Sequence, residues 1–178
     1  MPNVWSRHTD QLLQKNTQKA RMQIEFERPN QPAVHELIAE LDAHLYSLYP
    51  AESVYALDIA SLCYPNVLFA VARDPAGYPV GCAAIVVTQE YGEVKRMYVR
   101  PQARGQGVAR RLMEMLEAKA ILKGCRVFML ETGPTLPEAL NLYERMGYQR
   151  CGPFGDYPDD PFSVFMQKEV RQGTSTAR

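Results

Sequence analysis

The chain has 178 residues, 46% of them apolar and 22% charged, the proportions of an ordinary globular domain. Twenty Lys and Arg balance twenty Asp and Glu, so the basic excess of a dedicated nucleic-acid binder is missing and no nucleic-acid partner is expected. No apolar run is long enough to span a membrane, and the polar first 21 residues lack the apolar core of a signal peptide, which points to the cytoplasm.

Residues 1–21 read as an N-terminal extension, 22–170 as one domain and 171–178 as a C-terminal tail. Met22 to Glu27 alternates weakly and predicts a first strand. Val34, Leu37, Ile38, Leu41, Leu45 and Leu48 fall at helical spacing, with Pro32 suited to the first turn and Pro50 to the stop. Ser53 is the expected cap of a short helix carrying Leu57, Ile59 and Leu62. Val67 to Ala72 predicts a strand, and Asp74-Pro75-Ala76-Gly77 a turn by its own chemistry. Val80 to Gln89 and Glu93 to Val99 follow as strands in antiparallel pairing.

After Gly107, apolar residues recur at Val108, Leu112, Leu116 and Ala120, and Gly124 stands where a helix-ending glycine belongs. Val127 to Leu130 predicts a strand. Thr135-x-x-Glu138 reads as a capping box for a helix through Ala139, Leu142, Tyr143 and Met146 that stops at Gly147. Tyr148 to Cys151 and Ser163 to Gln167 are the closing strands. Cys63, Cys82, Cys125 and Cys151 are widely spaced, and His8, His35 and His44 do not cluster with them, so neither a metal site nor a disulfide framework is expected.

The segment with chemical content is Met97 to Ala109: a strand end, a short basic loop with two glycines, and a helix start. A helix start offers N–H groups without intrahelical partners, and the helix dipole adds partial positive charge. Glycines let a phosphate approach the backbone, and Arg104 adds a charged fork of donors. A P-loop would need Lys-Ser or Lys-Thr after the second glycine, where Val108-Ala109 stands, and a Rossmann fingerprint needs a further glycine that is missing.

Gln102-x-x-Gly105-x-Gly107, with Arg104 before the first glycine, resembles the pyrophosphate loop of the GNAT superfamily of acyl-CoA-dependent N-acetyltransferases. Ala139-x-x-Leu142-Tyr143-Glu144-x-x-Gly147-Tyr148 looks like the second motif of that family, in the expected order and with a strand between the two. The resemblance covers roughly Met22 to Glu169. It implies an α/β (α+β) fold: a mixed, mostly antiparallel sheet of about six or seven strands flanked by helices, with the fourth strand splayed from the fifth.

It also implies acetyl-CoA as co-substrate, with no metal. The backbones of Met97, Tyr98 and Val99 would receive the pantetheine arm, the Met97 N–H polarising the thioester carbonyl. Arg104, Gly105, Gln106, Gly107, Val108 and Ala109 would hold the pyrophosphate. Many relatives carry Asn where Leu136 stands here, which removes one side-chain contact to the pantetheine.

Amide formation needs an amine that has lost its proton, and a lysine-like ammonium has a pKa of about 10.4. Glu93 opens the fourth strand and is the candidate base by that resemblance; the other reading is a strand-end carboxylate paired with Lys95 or Arg96. Tyr143 is the candidate acid for the leaving thiolate, against a reading as packed aromatic. Strand alternation turns one of Lys95 and Arg96 toward the first helix, where it could hold a substrate carboxylate. Glu52, Asp58, Asp156, Asp159 and Asp160 lie on segments that could rim an acceptor pocket and attract a cationic amine. The expected function is acetyl transfer to a small amino acid-like or polyamine-like amine. The alternatives are a protein N-acetyltransferase and a non-catalytic acyl-CoA-binding domain; homodimerisation is compatible with all three.

Overall fold

Alternation of small and β-branched residues from Val67 to Val99 builds the centre of a seven-stranded sheet. The computed structural model describes residues 22–170; the expected extension and tail lie outside the described residues. In chain order the elements are β1 (Gln23–Phe26), α1 (Pro32–Leu48), α2 (Ile59–Leu62), β2 (Val67–Arg73), β3 (Pro79–Val87), β4 (Gly92–Val99), α3 (Val108–Leu122), β5 (Val127–Thr132), α4 (Pro137–Arg145), β6 (Gln149–Cys151) and β7 (Val164–Glu169). The sheet order is β1-β2-β3-β4-β5-β7-β6. Each neighbouring pair is antiparallel except β4 with β5.

Helices cover both faces of the sheet, each for a readable reason. Val34, Leu37, Ile38 and Leu41 form one stripe of α1 and are buried against Phe69, Val71, Cys82, Ala84 and Tyr98. On the opposite face Leu112, Met113 and Leu116 of α3 and Leu140 and Tyr143 of α4 pack on Ile85, Val94, Phe128 and Leu130. Each such aliphatic side chain contributes about 1.5–3 kcal/mol when taken out of water. Desolvation pushes the thiol of Cys82 up to about 12, so it is an inert packed group.

Two local expectations are corrected. The short helix after the first is capped by Asp58, whose Oδ1 accepts the Ser61 N–H at 2.7 Å, while Ser53 ends a separate 3-10 turn over Ala51–Ser53. The capping box at Thr135 does not form: the N-cap of α4 is Leu136, with no side-chain bond. The Thr135 hydroxyl instead lies 2.5 Å from the hydroxyl of Tyr49, which also accepts the Thr135 N–H at 3.3 Å.

β4 carries a bulge. Cys82 faces Tyr98 and Ala84 faces Lys95, so two residues, Arg96 and Met97, oppose Ala83 alone. Arg96 takes φ 56°, the one left-handed non-glycine residue among those described. The extra residue inverts the alternation. Glu93 and Lys95 before it share a face with Arg96 and Tyr98 after it, the face covered by α1. Met97 and Val99 pack on the other side.

Candidate active site

β4 and β5 pair only from Gly92–Phe128 to Val94–Leu130. Beyond Val94 the two parallel strands separate, and their carboxyl ends open into a cleft of about 530 Å³. Carboxyl ends of parallel strands are where open sheets take their ligands. One wall is Lys95 to Val99; the other is Glu131, Thr132 and Gly133. Past the splay, the β5-facing backbone groups of Met97 and Val99 have no ladder partner in β5.

At one end of the cleft lies the glycine loop. Gly105 and Gly107 take φ 73° and 72°, and nothing lies within 4 Å of where a Cβ would stand on either. Gly107 is the N-cap of α3 and makes no side-chain cap, so the helix starts bare. The first intrahelical bond closes from the Arg111 N–H to the Gly107 carbonyl, which leaves the N–H groups of Val108, Ala109 and Arg110 unpaired. Arg104 is anchored by its Nε donating to the Val99 carbonyl at 3.0 Å. Gln106 turns back to the Gln102 carbonyl at 3.3 Å and does not line the cleft.

Tyr143 lies on the inner face of α4 at the cleft, 5% exposed. Its ring meets that of Tyr148 edge-on at 5.8 Å. Burial, and then the nearby Glu131 carboxylate, push its hydroxyl above the ordinary tyrosine value, so it stays protonated. Tyr148 is fixed from behind by donating to Glu117 at 2.7 Å, and Glu117 in turn receives Lys168 at 2.6 Å.

Glu93 stands behind the cleft wall, not on it. Its Oε1 accepts the Tyr157 hydroxyl at 2.5 Å and pairs with the Lys95 ammonium at 3.0 Å. Two carboxylates do line the cleft, the exposed Glu138 and the half-buried Glu131, two residues past Met129, the partner of Glu93 across the strands. Burial raises the pKa of Glu131 above the ordinary glutamate value, opposed by a 2.6 Å bond from the Ser163 hydroxyl and by the charge of Lys95. Glu131 was missed in the sequence reading. Its signal is a lone carboxylate ending the apolar run Phe128-Met129-Leu130.

Lys95 and Arg96 both reach the α1 side, which corrects the expectation that only one would. Lys95 donates to the Tyr55 carbonyl at 3.1 Å and to the Tyr157 hydroxyl, besides its pair with Glu93. Arg96 donates to the Leu57 carbonyl at 2.6 Å and pairs with Asp42. Tyr98 packs under α1 and its hydroxyl donates to Glu40 at 3.2 Å, so only its backbone belongs to the cleft wall. None of Glu52, Asp58, Asp156, Asp159 and Asp160 lines the cleft. Asp160 instead accepts the Tyr55 hydroxyl and the Phe162 N–H, both at 2.8 Å, and so ties the β6–β7 loop to the segment after α1.

Known proteins share this architecture. Residues 34–148 match the model of the Acetyltransferase (GNAT) family. An IAA acetyltransferase of Azospirillum brasilense is 48% identical over 149 residues, covering 83% of this chain and 97% of that protein. An uncharacterized N-acetyltransferase of Bacillus subtilis strain 168, YsnE, is 33% identical over 141 residues, 76% of this chain and 93% of its own. A solved Klebsiella pneumoniae structure, a candidate acyl-CoA N-acyltransferase, superposes with TM-score 0.73 at 38% identity over 85% of this chain and 99% of that one. An aminoglycoside 6'-N-acetyltransferase solved with coenzyme A shares the fold at TM-score 0.64 and 18% identity, over 86% of this chain and 99% of that one. With residues 34–148 matched by the family model and relatives of 48% and 33% identity over most of the chain, the chain belongs to the GNAT family of acetyltransferases.

Proposed function

We propose that the chain moves an acetyl group from acetyl-CoA to the primary amine of a small molecule, by direct attack with both reactants bound. The observation that carries this reading is the splay of β4 from β5 into a cleft lined by the anion-ready loop, Glu131 and Tyr143. The residues present fit coenzyme A. Val108, Ala109 and Arg110 offer unpaired N–H groups, Arg104 stands beside them, and the space over Gly105 and Gly107 is open.

Acetyl-CoA supplies an activated acyl carbon; the protein supplies position and protons. Side-by-side binding accounts for several kcal/mol of the barrier, about 7–11 in the best oriented cases. The Met97 N–H donates to the carbonyl oxygen as it gains negative charge. Glu131, with its raised pKa, takes the proton of the acceptor ammonium. The amine nitrogen bonds to the acyl carbon, the carbon–sulfur bond breaks, the Tyr143 hydroxyl gives its proton to the thiolate, and the surplus proton on the new amide nitrogen passes to the Tyr143 oxygen. Glu93 is a positioning residue that holds Lys95 and Tyr157 behind Glu131.

A small acceptor, as against a protein, is supported by the narrowness of the cleft, about 530 Å³. The segment through Tyr55 and the β6–β7 loop, which supplies Phe162, are tied together beside it by the bond from Tyr55 to Asp160. That a relative is named an IAA acetyltransferase supports the same reading.

Thermal shift and thiol release test it together. Coenzyme A at 100 times its dissociation constant should add about 2.7 kcal/mol of stability. An amine-dependent release of thiol from acetyl-CoA should follow. No thermal response to coenzyme A removes the cofactor assignment, and a response without amine-dependent thiol release leaves only a binding domain.

A further inference from the structure

The acceptor side of the cleft has an unusual charge inventory. Its two strand cations are already engaged. Lys95 has three donors and three partners: the Tyr55 carbonyl, the Tyr157 hydroxyl and Glu93. Arg96 is 5% exposed at its side chain and is held by Asp42 and the Leu57 carbonyl. These pairs clamp the segment 55–57 onto β4 and hold their charges inside the wall. A carboxylate entering this chamber meets no unengaged strand cation; Arg104 and Arg110 line the cleft at the glycine loop and helix start, on the co-substrate side, and His44 and Glu138 are exposed. Glu131 is half-buried and, among the described residues, the carboxylate on the strand wall of the cleft.

The rest of the wall is apolar and aromatic. Leu41 and Leu45 come from α1, Leu57 from the clamped segment, and Tyr49 and Phe162 meet edge-on with ring centres 6.4 Å apart. Tyr49 is immobilised at its tip. Its hydroxyl bonds Thr135 and lies so close to Gly133 that a Cβ there would collide with it. A rigid aromatic edge offers a surface for another flat ring. The cleft of about 530 Å³ must also admit the acyl end of the co-substrate, so the acceptor body is small.

We infer that the acceptor is a monoamine on a small aromatic or similarly flat apolar body, with no carboxylate and no second amine. This rests on the acetyl-transfer reading and narrows it. The ammonium sits at Glu131 and gives it a proton. The free amine then forms the amide with the acetyl carbon, the sulfur leaves as thiol with the proton of Tyr143, and the proton lost by the nitrogen restores the Tyr143 hydroxyl. A zwitterion would bury a carboxylate with no counter-charge, and a polyamine would bury a second ammonium. Either costs several powers of ten in affinity when fully desolvated, and about a hundredfold where water still reaches the group.

Thiol release from acetyl-CoA by the full chain tests this with matched probes. The set is 2-phenylethylamine and tryptamine, then phenylalanine and tryptophan, which add only a carboxylate, then putrescine and spermidine, and butylamine. The expected result is a kcat/KM for 2-phenylethylamine about 100-fold above phenylalanine and above spermidine. Phe162→Ala should raise KM for 2-phenylethylamine about tenfold more than it raises KM for butylamine, since only the flat ring loses an aromatic partner. Equal or better use of phenylalanine or spermidine overturns the acceptor class and leaves acetyl transfer standing. A Phe162→Ala enzyme with unchanged preference for 2-phenylethylamine over butylamine overturns the aromatic wall. Thiol release by none of the amines, with coenzyme A still raising Tm, overturns both this inference and the transfer reaction beneath it.

Discussion

Lys95 and Arg96 are neighbours in sequence, yet their side chains reach the same stretch of backbone. Lys95 Nζ lies 3.1 Å from the Tyr55 carbonyl oxygen and Arg96 Nε lies 2.6 Å from that of Leu57. A regular strand would send them to opposite faces. The left-handed φ of Arg96 at the β4 bulge turns both toward α1, and so the splayed strand also carries one wall of the acceptor chamber.

Arg96→Ala should destabilise the fold by about 2–3 kcal/mol in urea titration. That is below the ~3–5 of a broken, fully buried pair, because the Asp42 side chain keeps 31% exposure. Arg96→Gly should lose about 1 kcal/mol less than Arg96→Ala, since glycine takes the left-handed conformation without penalty. Equal losses would mean that the bulge stores no strain.

Gly107→Val should abolish coenzyme A binding and leave the fold in place. The new Cβ enters open space, with no atom of the described residues within 4 Å, but it stands where the phosphate is expected. A β-branched residue at φ 72° adds a strain of about 1–3 kcal/mol. Calorimetry reads the binding and circular dichroism the fold. Normal affinity would reduce the loop to a plain helix start.

Tyr143→Phe keeps the ring packed on Tyr148 and removes only the hydroxyl. Turnover should fall while KM for acetyl-CoA stays put, because the proton is needed as the thiolate leaves. Pre-steady-state kinetics should locate the loss in the chemical step. An unchanged chemical step assigns Tyr143 to packing alone.

Glu131→Gln and Glu93→Gln separate the two carboxylates. Glu131→Gln should lower turnover near pH 7 by about 10²–10⁴ and remove the acidic limb of the pH–rate profile. Its stability should move the other way. The folded pKa is raised above the unfolded one, so Glu131 favours folding at low pH and opposes it once pH climbs through the folded value. The neutral variant should therefore melt no lower than the parent at pH 7. Glu93→Gln should keep the acidic limb and lose activity through looser Lys95 and Tyr157. The reverse pattern would return the base role to Glu93.

Acid stability should depend on Glu27. Hydrogen bonds from Arg73, the nearer at 2.7 Å, hold its carboxyl below the usual glutamate value of 4.5. The unfolded chain then takes up the proton first as pH falls. The stabilisation is complete above about 4.5 and is lost as pH drops through the folded value. Glu27→Gln should flatten this part of the stability–pH curve, followed by urea midpoints between pH 6 and about 3. An unchanged slope would leave the Arg73 pair without a thermodynamic role.

What the sequence determined by itself was what short-range chemistry decides. The stripe of α1, the Asp74 turn, the helix stops at Gly124 and Gly147 and the bare start of α3 are all set by residues within a few positions of each other. So is the loop from Arg104 to Ala109, because its phosphate-ready shape needs only its own glycines and the next turn of helix. The tertiary structure decided the rest. Thr135 and Glu138 have the spacing of a capping box, but the Tyr49 hydroxyl, 86 residues away from Thr135, takes the threonine instead. The face of Arg96 depends on Ala83 across the sheet, since a bulge is a count of residues on two strands and not a property of one. The choice between Glu93 and Glu131 rests on where β4 parts from β5, which brings the strand-end carboxylate to the cleft and leaves the earlier one behind the wall.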